Sequence, residues 1–157
     1  MTTVAIALGA NLGNRRAAFD FAVERLSQIV SNLVVSEPVE TEPEGDGLHD
    51  QPLYLNAVAV GETSLRPRQL LDALLAIEQA HGRERPFPGA PRTLDLDLIL
   101  AGDARENSAG LYLPHPRFRE RFFVLGPLAE IAPDLVDPVT GLRMWELLRN
   151  LLSDDTR

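Results

Sequence analysis

The chain has 157 residues, enough for one domain with a sizeable core, and 45% of them are hydrophobic, an ordinary share for a globular protein. Its formal charge of −8 argues against a nucleic acid or an anionic membrane surface as the main partner. It has no cysteine and all 15 of its Lys-plus-Arg residues are arginine, which excludes disulfide and thiolate chemistry, a P-loop lysine and a Schiff-base lysine. A bound anion must then be met by guanidinium groups, backbone N–H or metal. The opening stretch "MTTVAIALGANLGN" lacks a basic n-region, and its apolar run is short for a signal peptide or membrane helix, so a cytoplasmic location is expected.

Residues 3–8 alternate, with Val4, Ile6 and Leu8 on one face and Thr3, Ala5 and Ala7 on the other, which predicts a strand. "GANLGN" reads as a turn, with Asn14 as the N-cap of a helix over about 15–30 whose stripe is Phe19, Ala22, Val23, Leu26, Ile29 and Val30. "LVVSEPVET" predicts one edge strand, since Pro38 cannot donate to a ladder. A polar loop, "EPEGDGLHDQP", precedes a third strand, "YLNAVAVGET". Pro67 opens a second helix, Leu70, Leu71, Leu74 and Ile77 supply its stripe, and Gly82 closes it. The loop "RERPFPGAP" leads into a fourth strand over about 93–100.

The order β-α-β-β-α-β predicts an α+β, ferredoxin-like fold, with two helices on one face of an antiparallel sheet. A hairpin, the stretch "PHPRFRERFFVLGPLAEIAP", a short helix near 142–152 and a frayed "SDDTR" tail complete one expected domain over 1–157.

The chemistry concentrates in "PRTLDLDLIL". Residues i and i+2 of a strand share a face, so Asp95, Asp97 and Ile99 point one way, while Leu94, Leu96, Leu98 and Leu100 point into a core. Two carboxylates about 6 Å apart repel by about 3 kcal/mol at an effective dielectric of 20, and by under about 1 kcal/mol in water. An isolated D-x-D therefore reads equally as a solvated strand face. Here Arg83, Arg85 and Arg92 lie just upstream, and His115, Arg117, Arg119 and Arg121 follow downstream, gathering six of the 15 arginines into two stretches. Carboxylates that hold Mg²⁺ beside arginines that hold anions suit a nucleoside triphosphate–Mg²⁺ site. Tyr54 and Asn56 share a face of the third strand, a pairing that can stack on a flat heterocycle and bond its edge, or can simply anchor the strand end. On residues alone, a kinase passing one phosphoryl group and a non-catalytic ligand-sensing or RNA-binding ferredoxin-like module stay open. The acidic charge and the scarcity of strand aromatics count against the RNA reader.

The blocks "ALGANLGN", "DQPLYLNAVAV", "LLAIEQAHGRER", "APRTLDLDLIL" and "LPHPRFRERFFVLGPLAEIAP" together resemble the 6-hydroxymethyl-7,8-dihydropterin pyrophosphokinase family of folate biosynthesis, over about 9–133. The resemblance implies an ATP- and Mg²⁺-dependent diphosphotransferase. It would move the β,γ-pyrophosphoryl group of ATP to the pterin hydroxymethyl oxygen and release AMP. It further implies that Asp95 and Asp97 coordinate two Mg²⁺ ions and that Asn56 bonds the pterin edge. Tyr54 and Phe123 would sandwich the ring, with Thr41 and Pro43 beside it. Glu78, Arg83, Arg92, His115 and Arg121 would contact ATP or the transferring phosphates, and Arg85 would swing in on closure. The two loops, about 42–52 and 83–92, would be lids, and the enzyme a monomer acting on small molecules, with neither nucleic acid nor membrane as partner. The pattern departs from the family in "FPGAPR", where Gly89 and Ala90 replace a bulky residue and a glycine and Pro88 stands at an often basic position, so that either Phe87 seals the site or it closes less tightly. Gly110 and Tyr112 stand where some members present an arginine and a threonine to ATP.

Overall fold

A computed structural model describes residues 1–11, 14–42, 53–82 and 94–155. Its elements are β1 (Thr2–Ala10), α1 (Arg15–Leu26), β2 (Ser31–Val35), β3 (Val39–Thr41), β4 (Tyr54–Thr63), α2 (Pro67–His81), β5 (Asp95–Ala101), β6 (Glu106–Ser108), β7 (Leu111–Leu113), α3 (Phe122–Ile131) and α4 (Met144–Asp155). The main sheet runs β2–β4–β1–β5, entirely antiparallel, with β3 on the same edge of β4 as β2. Counting β2 and β3 as one segment, this is the ferredoxin-like order expected from the sequence. Among the described residues, no helix is long and apolar enough to cross a membrane.

Local chemistry accounts for the boundaries. The Asn14 side chain accepts from the Ala17 N–H at 3.0 Å, capping α1 as predicted, but the helix ends at Leu26, short of residue 30. At α2, Pro67 occupies the first turn, and the Gln69 side chain reaches back to the Arg66 N–H at 2.9 Å. The predicted single strand 33–41 is two strands. Between them Ser36 pairs with Val58 through one backbone bond and one side-chain bond, each 2.9 Å, and Pro38 cannot continue the ladder. The predicted turn at "GANLGN" begins later than expected, because Gly9 and Ala10 still pair with Asn56 and Leu55.

The sheet has a core on each face. Val4, Ile6, Leu8, Leu55, Ala57, Ala59, Leu94, Leu96 and Leu98 pack with Phe19 and Leu26 of α1 and Leu70 and Leu74 of α2. On the opposite face Ala5, Val58 and Ile99 meet Phe118, Val124, Leu125 and Leu128 of the α3 region and Met144 and Leu147 of α4. Leu100 belongs to this second core, not to the first as strict alternation predicts. The register slips between Ala5, opposite Leu100, and Ile6, opposite Leu98. Ile99 is thus an extra residue, and the bulge turns Leu100 to the other face.

The helix α3 is not legible as an element in the sequence. "FFVLGPLAEI" carries Gly126 and Pro127 and is apolar around most of its circumference, because it lies between the sheet and α4. In so short a helix Pro127 removes a single ladder bond. The tail is likewise more ordered than expected, since Ser153, Asp154 and Asp155 belong to α4.

Gly61 shows how tightly β2 lies on β4. A Cβ there would run into Val30 Cγ1 and fall 2.7 Å from the Ser31 carbonyl oxygen. The second contact is backbone and cannot rotate away, so Gly61→Ala is expected to cost about 1–3 kcal/mol, read as a lowered urea midpoint at unchanged slope.

Candidate active site

The register places the polar residues of three strands in one row. Gly9 lies opposite Asn56 on one side and Asp95 on the other, and Ala7 lies opposite Asp97. Residues paired across an antiparallel ladder share a face, so Asn56, Gly9, Asp95 and Asp97 all point to the side that carries α3 and α4. Those helices cover Ala5, Val58 and Ile99. The rest of the face is a polar end on which Gly9 and Asn56 are buried, Asp95 half-buried and Asp97 exposed, with about 10 Å between the Asn56 and Asp95 backbones, two strand spacings. Glycine at the centre matters. A Cβ on Gly9 would meet the Tyr54 ring at 3.3 Å and Asn56 Oδ1 at 3.9 Å.

Tyr54 lies across this floor, and its hydroxyl donates to Asp95 Oδ2 at 3.0 Å. Asn56 is 7% exposed and donates from Nδ2 to Thr41 Oγ1 at 2.9 Å, to the Val39 carbonyl at 3.2 Å and to the Tyr54 carbonyl at 3.5 Å. Asp97 is exposed and Asp95 half-buried. Phe123, on the first turn of α3, is half-buried against the cluster that includes Ala7, the partner of Asp97. The Arg121 guanidinium carbon sits 5.8 Å from the Phe123 ring centre.

His115 reaches the site because its backbone N–H bonds the Ile99 carbonyl at 2.9 Å, prolonging β5's open edge. Its Nδ1 accepts from the Arg117 N–H at 3.1 Å, which leaves the proton of the neutral ring on Nε2. Burial pushes the imidazole below its ordinary range; Asp97 opposes that shift, and Arg121 and Arg117 reinforce it. Near neutral pH His115 is therefore a neutral Nε2–H donor.

Glu78 of α2 accepts from the Leu96 N–H at 2.6 Å, capping an edge donor of β5 next to both aspartates. Arg119, counted above with the anion-binding arginines, is engaged elsewhere. Its Nε and a terminal nitrogen hold Asp137 at 2.6 and 2.9 Å. Asp137 was not picked out by the sequence, where it is one carboxylate among 23. On the hairpin, Gly110 takes a turn with φ of 83° and Tyr112 is exposed, while Arg68 bonds the carbonyls of Ser108 and Ala109 at 2.9 Å each. The structure thus brings together Thr41, Tyr54, Asn56, Asp95, Asp97, His115, Arg121 and Phe123. Pro43, Arg83, Arg85 and Arg92, and the altered Phe87–Ala90 stretch with both expected lids, lie outside the described residues.

Comparison with known proteins gives the chain a family. The sequence profile described as 7,8-dihydro-6-hydroxymethylpterin-pyrophosphokinase matches residues 5–133. The chain belongs to the 7,8-dihydro-6-hydroxymethylpterin-pyrophosphokinase family. It is 44% identical over 153 residues to a 2-amino-4-hydroxy-6-hydroxymethyldihydropteridine pyrophosphokinase of Pseudomonas aeruginosa, covering 92% of this chain and 89% of that one. The enzyme of the same name in Methylorubrum extorquens is 43% identical, covering 96% and 94%. The folic acid synthesis protein fol1 of Pneumocystis carinii is 41% identical over 98% of this chain, which spans only 21% of that longer protein. A Plasmodium falciparum HPPK-DHPS crystal structure superposes with a TM-score of 0.75 at 12% identity, covering 97% of this chain and 45% of that one, a likeness of fold. Every site residue named above lies within the stretch that matches the pyrophosphokinase family, whereas α4 and Asp137 lie beyond it.

The donor set fits the Mg²⁺ that the resemblance implies. Asp95 and Asp97 offer hard oxygen ligands from one stiff strand, and the described residues contain no group of three or more His, Cys, Asp or Glu. A site with two protein carboxylates leaves positions for water and phosphate oxygens, which is how Mg²⁺ is commonly held.

Proposed function

We propose that this chain transfers the pyrophosphoryl group of ATP to the hydroxymethyl group of 6-hydroxymethyl-7,8-dihydropterin, giving the pterin diphosphate and AMP. The observation that carries the reading is the Asn56–Gly9–Asp95 row with Asp97 beside it, at the polar end of a sheet face, in a chain of this family.

The pterin lies between the Tyr54 ring, which covers Gly9, and the Phe123 ring, with Asn56 at its edge and Thr41 and Pro43 beside it. The hydroxymethyl oxygen then points toward Asp95 and Asp97. That oxygen attacks the β-phosphorus, the bond to the bridging oxygen of AMP breaks, and the hydroxyl proton passes to an aspartate carboxylate. Asp95 and Asp97 would hold the two Mg²⁺ ions, which supply charge neutralisation on the triphosphate. His115 donates from Nε2 to a phosphate oxygen. Arg121 adds positive charge there, with Arg83, Arg85, Arg92 and Glu78 completing the nucleotide side. Positioning and charge stabilisation carry most of such a transfer, which suits a chain without a cysteine or lysine nucleophile. In this reading the chain acts as a monomer, with a single catalytic domain over 1–157.

Incubation with ATP, Mg²⁺ and the dihydropterin, followed by nucleotide chromatography, is expected to yield AMP. ADP as the product would replace this reading with a kinase that passes one phosphoryl group, and no nucleotide turnover would refute both.

Phe123→Ala tests the ring contacts. Losing an aromatic face is expected to weaken pterin binding about two- to tenfold, from about 0.5–1.5 kcal/mol of ring contact, while a non-hydrolysable ATP analogue keeps its affinity in calorimetry. Equal losses for both ligands would remove Phe123 from the pterin side.

A further inference from the structure

Glu78 is an acidic side chain in an unfavourable place. It stands in the last turn of α2, where the helix dipole favours cations, and it bonds the residue between two further carboxylates, Asp95 and Asp97. Helix stability and charge both count against it there. Set against them is the bond itself: Oε2 accepts from the Leu96 N–H at 2.6 Å, short in the way of charge-assisted bonds. The described residues contain no group of three or more His, Cys, Asp or Glu, so Glu78 does not join the two aspartates as a third metal ligand.

The bond falls on a vulnerable part of the sheet. β5 is the last strand in the order β2–β4–β1–β5, so among the described strands β1 alone pairs with it. Successive residues of an antiparallel strand turn their N–H and C=O alternately toward the neighbour and away from it. The Leu96 N–H points away, to Glu78, so Asp95 and Asp97 make their ladder bonds to Gly9 and Ala7, the residues opposite them. Two residues past Asp97 the ladder is interrupted by the bulge at Ile99, whose carbonyl accepts from the His115 N–H at 2.9 Å. Glu78 and His115 thus stand in for a neighbouring strand on the outer edge of β5, one on each side of Asp97.

We infer that Glu78 is a positioning residue: by holding the Leu96 N–H it fixes the backbone between Asp95 and Asp97, and with it the geometry in which the two carboxylates hold divalent cations. The inference rests on the functional reading above and deepens it. Glu78 serves the nucleotide side through the strand that carries the metal ligands, without touching the triphosphate. Asp95 and Asp97 flank the Leu96 peptide, so a turn of that peptide swings the two carboxylates relative to each other. Groups that orient metal ligands from behind influence metal affinity nearly as much as the ligands themselves.

The test is calorimetry on the full chain with a non-hydrolysable ATP analogue over a series of Mg²⁺ concentrations. Glu78→Leu removes the acceptor, so half-maximal nucleotide binding should need about tenfold more Mg²⁺, with affinity recovered once Mg²⁺ saturates. Glu78→Gln loses the charge but keeps an oxygen for the Leu96 N–H, and should stay within about twofold of wild type. Hydrogen exchange by NMR, without metal or nucleotide, is a second readout: the Leu96 amide should exchange slowly in wild type and Glu78→Gln, and at least about tenfold faster in Glu78→Leu. Glu78→Gln as impaired as Glu78→Leu would show that the charge acts and not the bond, which overturns the inference. An unchanged Mg²⁺ requirement in Glu78→Leu overturns it too, as does a loss of affinity that Mg²⁺ fails to recover, the mark of a direct nucleotide contact. The exchange measurement decides even where Glu78→Leu does not fold, since a wild-type Leu96 amide that exchanges like an exposed one overturns the inference. Wild-type nucleotide binding that ignores Mg²⁺ refutes the functional reading instead, so the two failures are distinguishable.

Discussion

Asp97→Asn is expected to lower kcat by about a hundred- to a thousandfold, while the fold and its thermal midpoint stay close to wild type. The two halves of that result have separate causes. Asp97 is exposed at the polar end of that sheet face, so an amide of the same shape disturbs no packing. The amide nevertheless removes the negative charge through which the strand would hold divalent cations. It also leaves Asp95, whose Oδ2 is engaged by the Tyr54 hydroxyl, as the remaining acidic ligand. The check is steady-state turnover together with Mg²⁺-dependent binding of a non-hydrolysable ATP analogue. Turnover like that of the wild type would make the aspartate pair an ordinary solvated strand face, and the functional reading would fall with it.

The largest loss of stability is expected far from that charge pair, in Arg119→Met. Asp137 is fully buried, and its carboxylate takes two bonds from Arg119, one from Thr140 Oγ1 at 2.7 Å and one from the Val139 N–H at 3.0 Å. Removing the guanidinium leaves a buried carboxylate without its cation. That is worth about 3 kcal/mol, near the lower end for breaking a buried pair because the Arg119 side chain is 26% exposed. For a chain of this size the thermal midpoint should fall by about 6–12 °C. Loss of the 4.7 Å stacking of Arg119 on Phe118 adds to the effect.

The same pair gives the stability a pH dependence of known sign. Burial alone would raise the Asp137 pKa, but the bonds from Arg119, Thr140 and Val139 outweigh it and hold the carboxyl below its ordinary value of 3.8. A depressed folded-state pKa contributes stability that is complete at neutral pH. That contribution declines as the pH drops through 3.8 and is lost below the folded value. Denaturant midpoints measured between pH 7 and 3 should therefore converge for wild type and Arg119→Met at the acid end. Curves that stay parallel would show that the carboxylate charge is not what Arg119 stabilises.

The sequence by itself determined the sheet and most of what lies on it. Alternation fixed the faces of β1 and β4, because a strand shows its period in a few residues, and Tyr54 with Asn56, and Asp95 with Asp97, emerged as face-sharing pairs for that reason, while the register across β1 put the two pairs on one side. Asn14, Pro67 and Gly82 marked helix ends through capping chemistry that acts over one turn. What only the tertiary structure decided depends on partners distant in the chain. The bulge that turns Leu100 away reflects pairing with Ala5, and α3 forms in spite of Pro127 because both its sides are buried. Arg119 resembles its neighbours Arg117 and Arg121 in the sequence. Its assignment to Asp137, 18 residues on, is set by the fold that brings them together. The bonding of the Asn56 amide is of the same kind, since two of the oxygens to which it donates, on Val39 and Thr41 of β3, come from 17 and 15 residues earlier. Period and capping are local properties that a sequence displays directly, whereas the occupation of a charge or an amide is settled by whichever groups the chain folds against it.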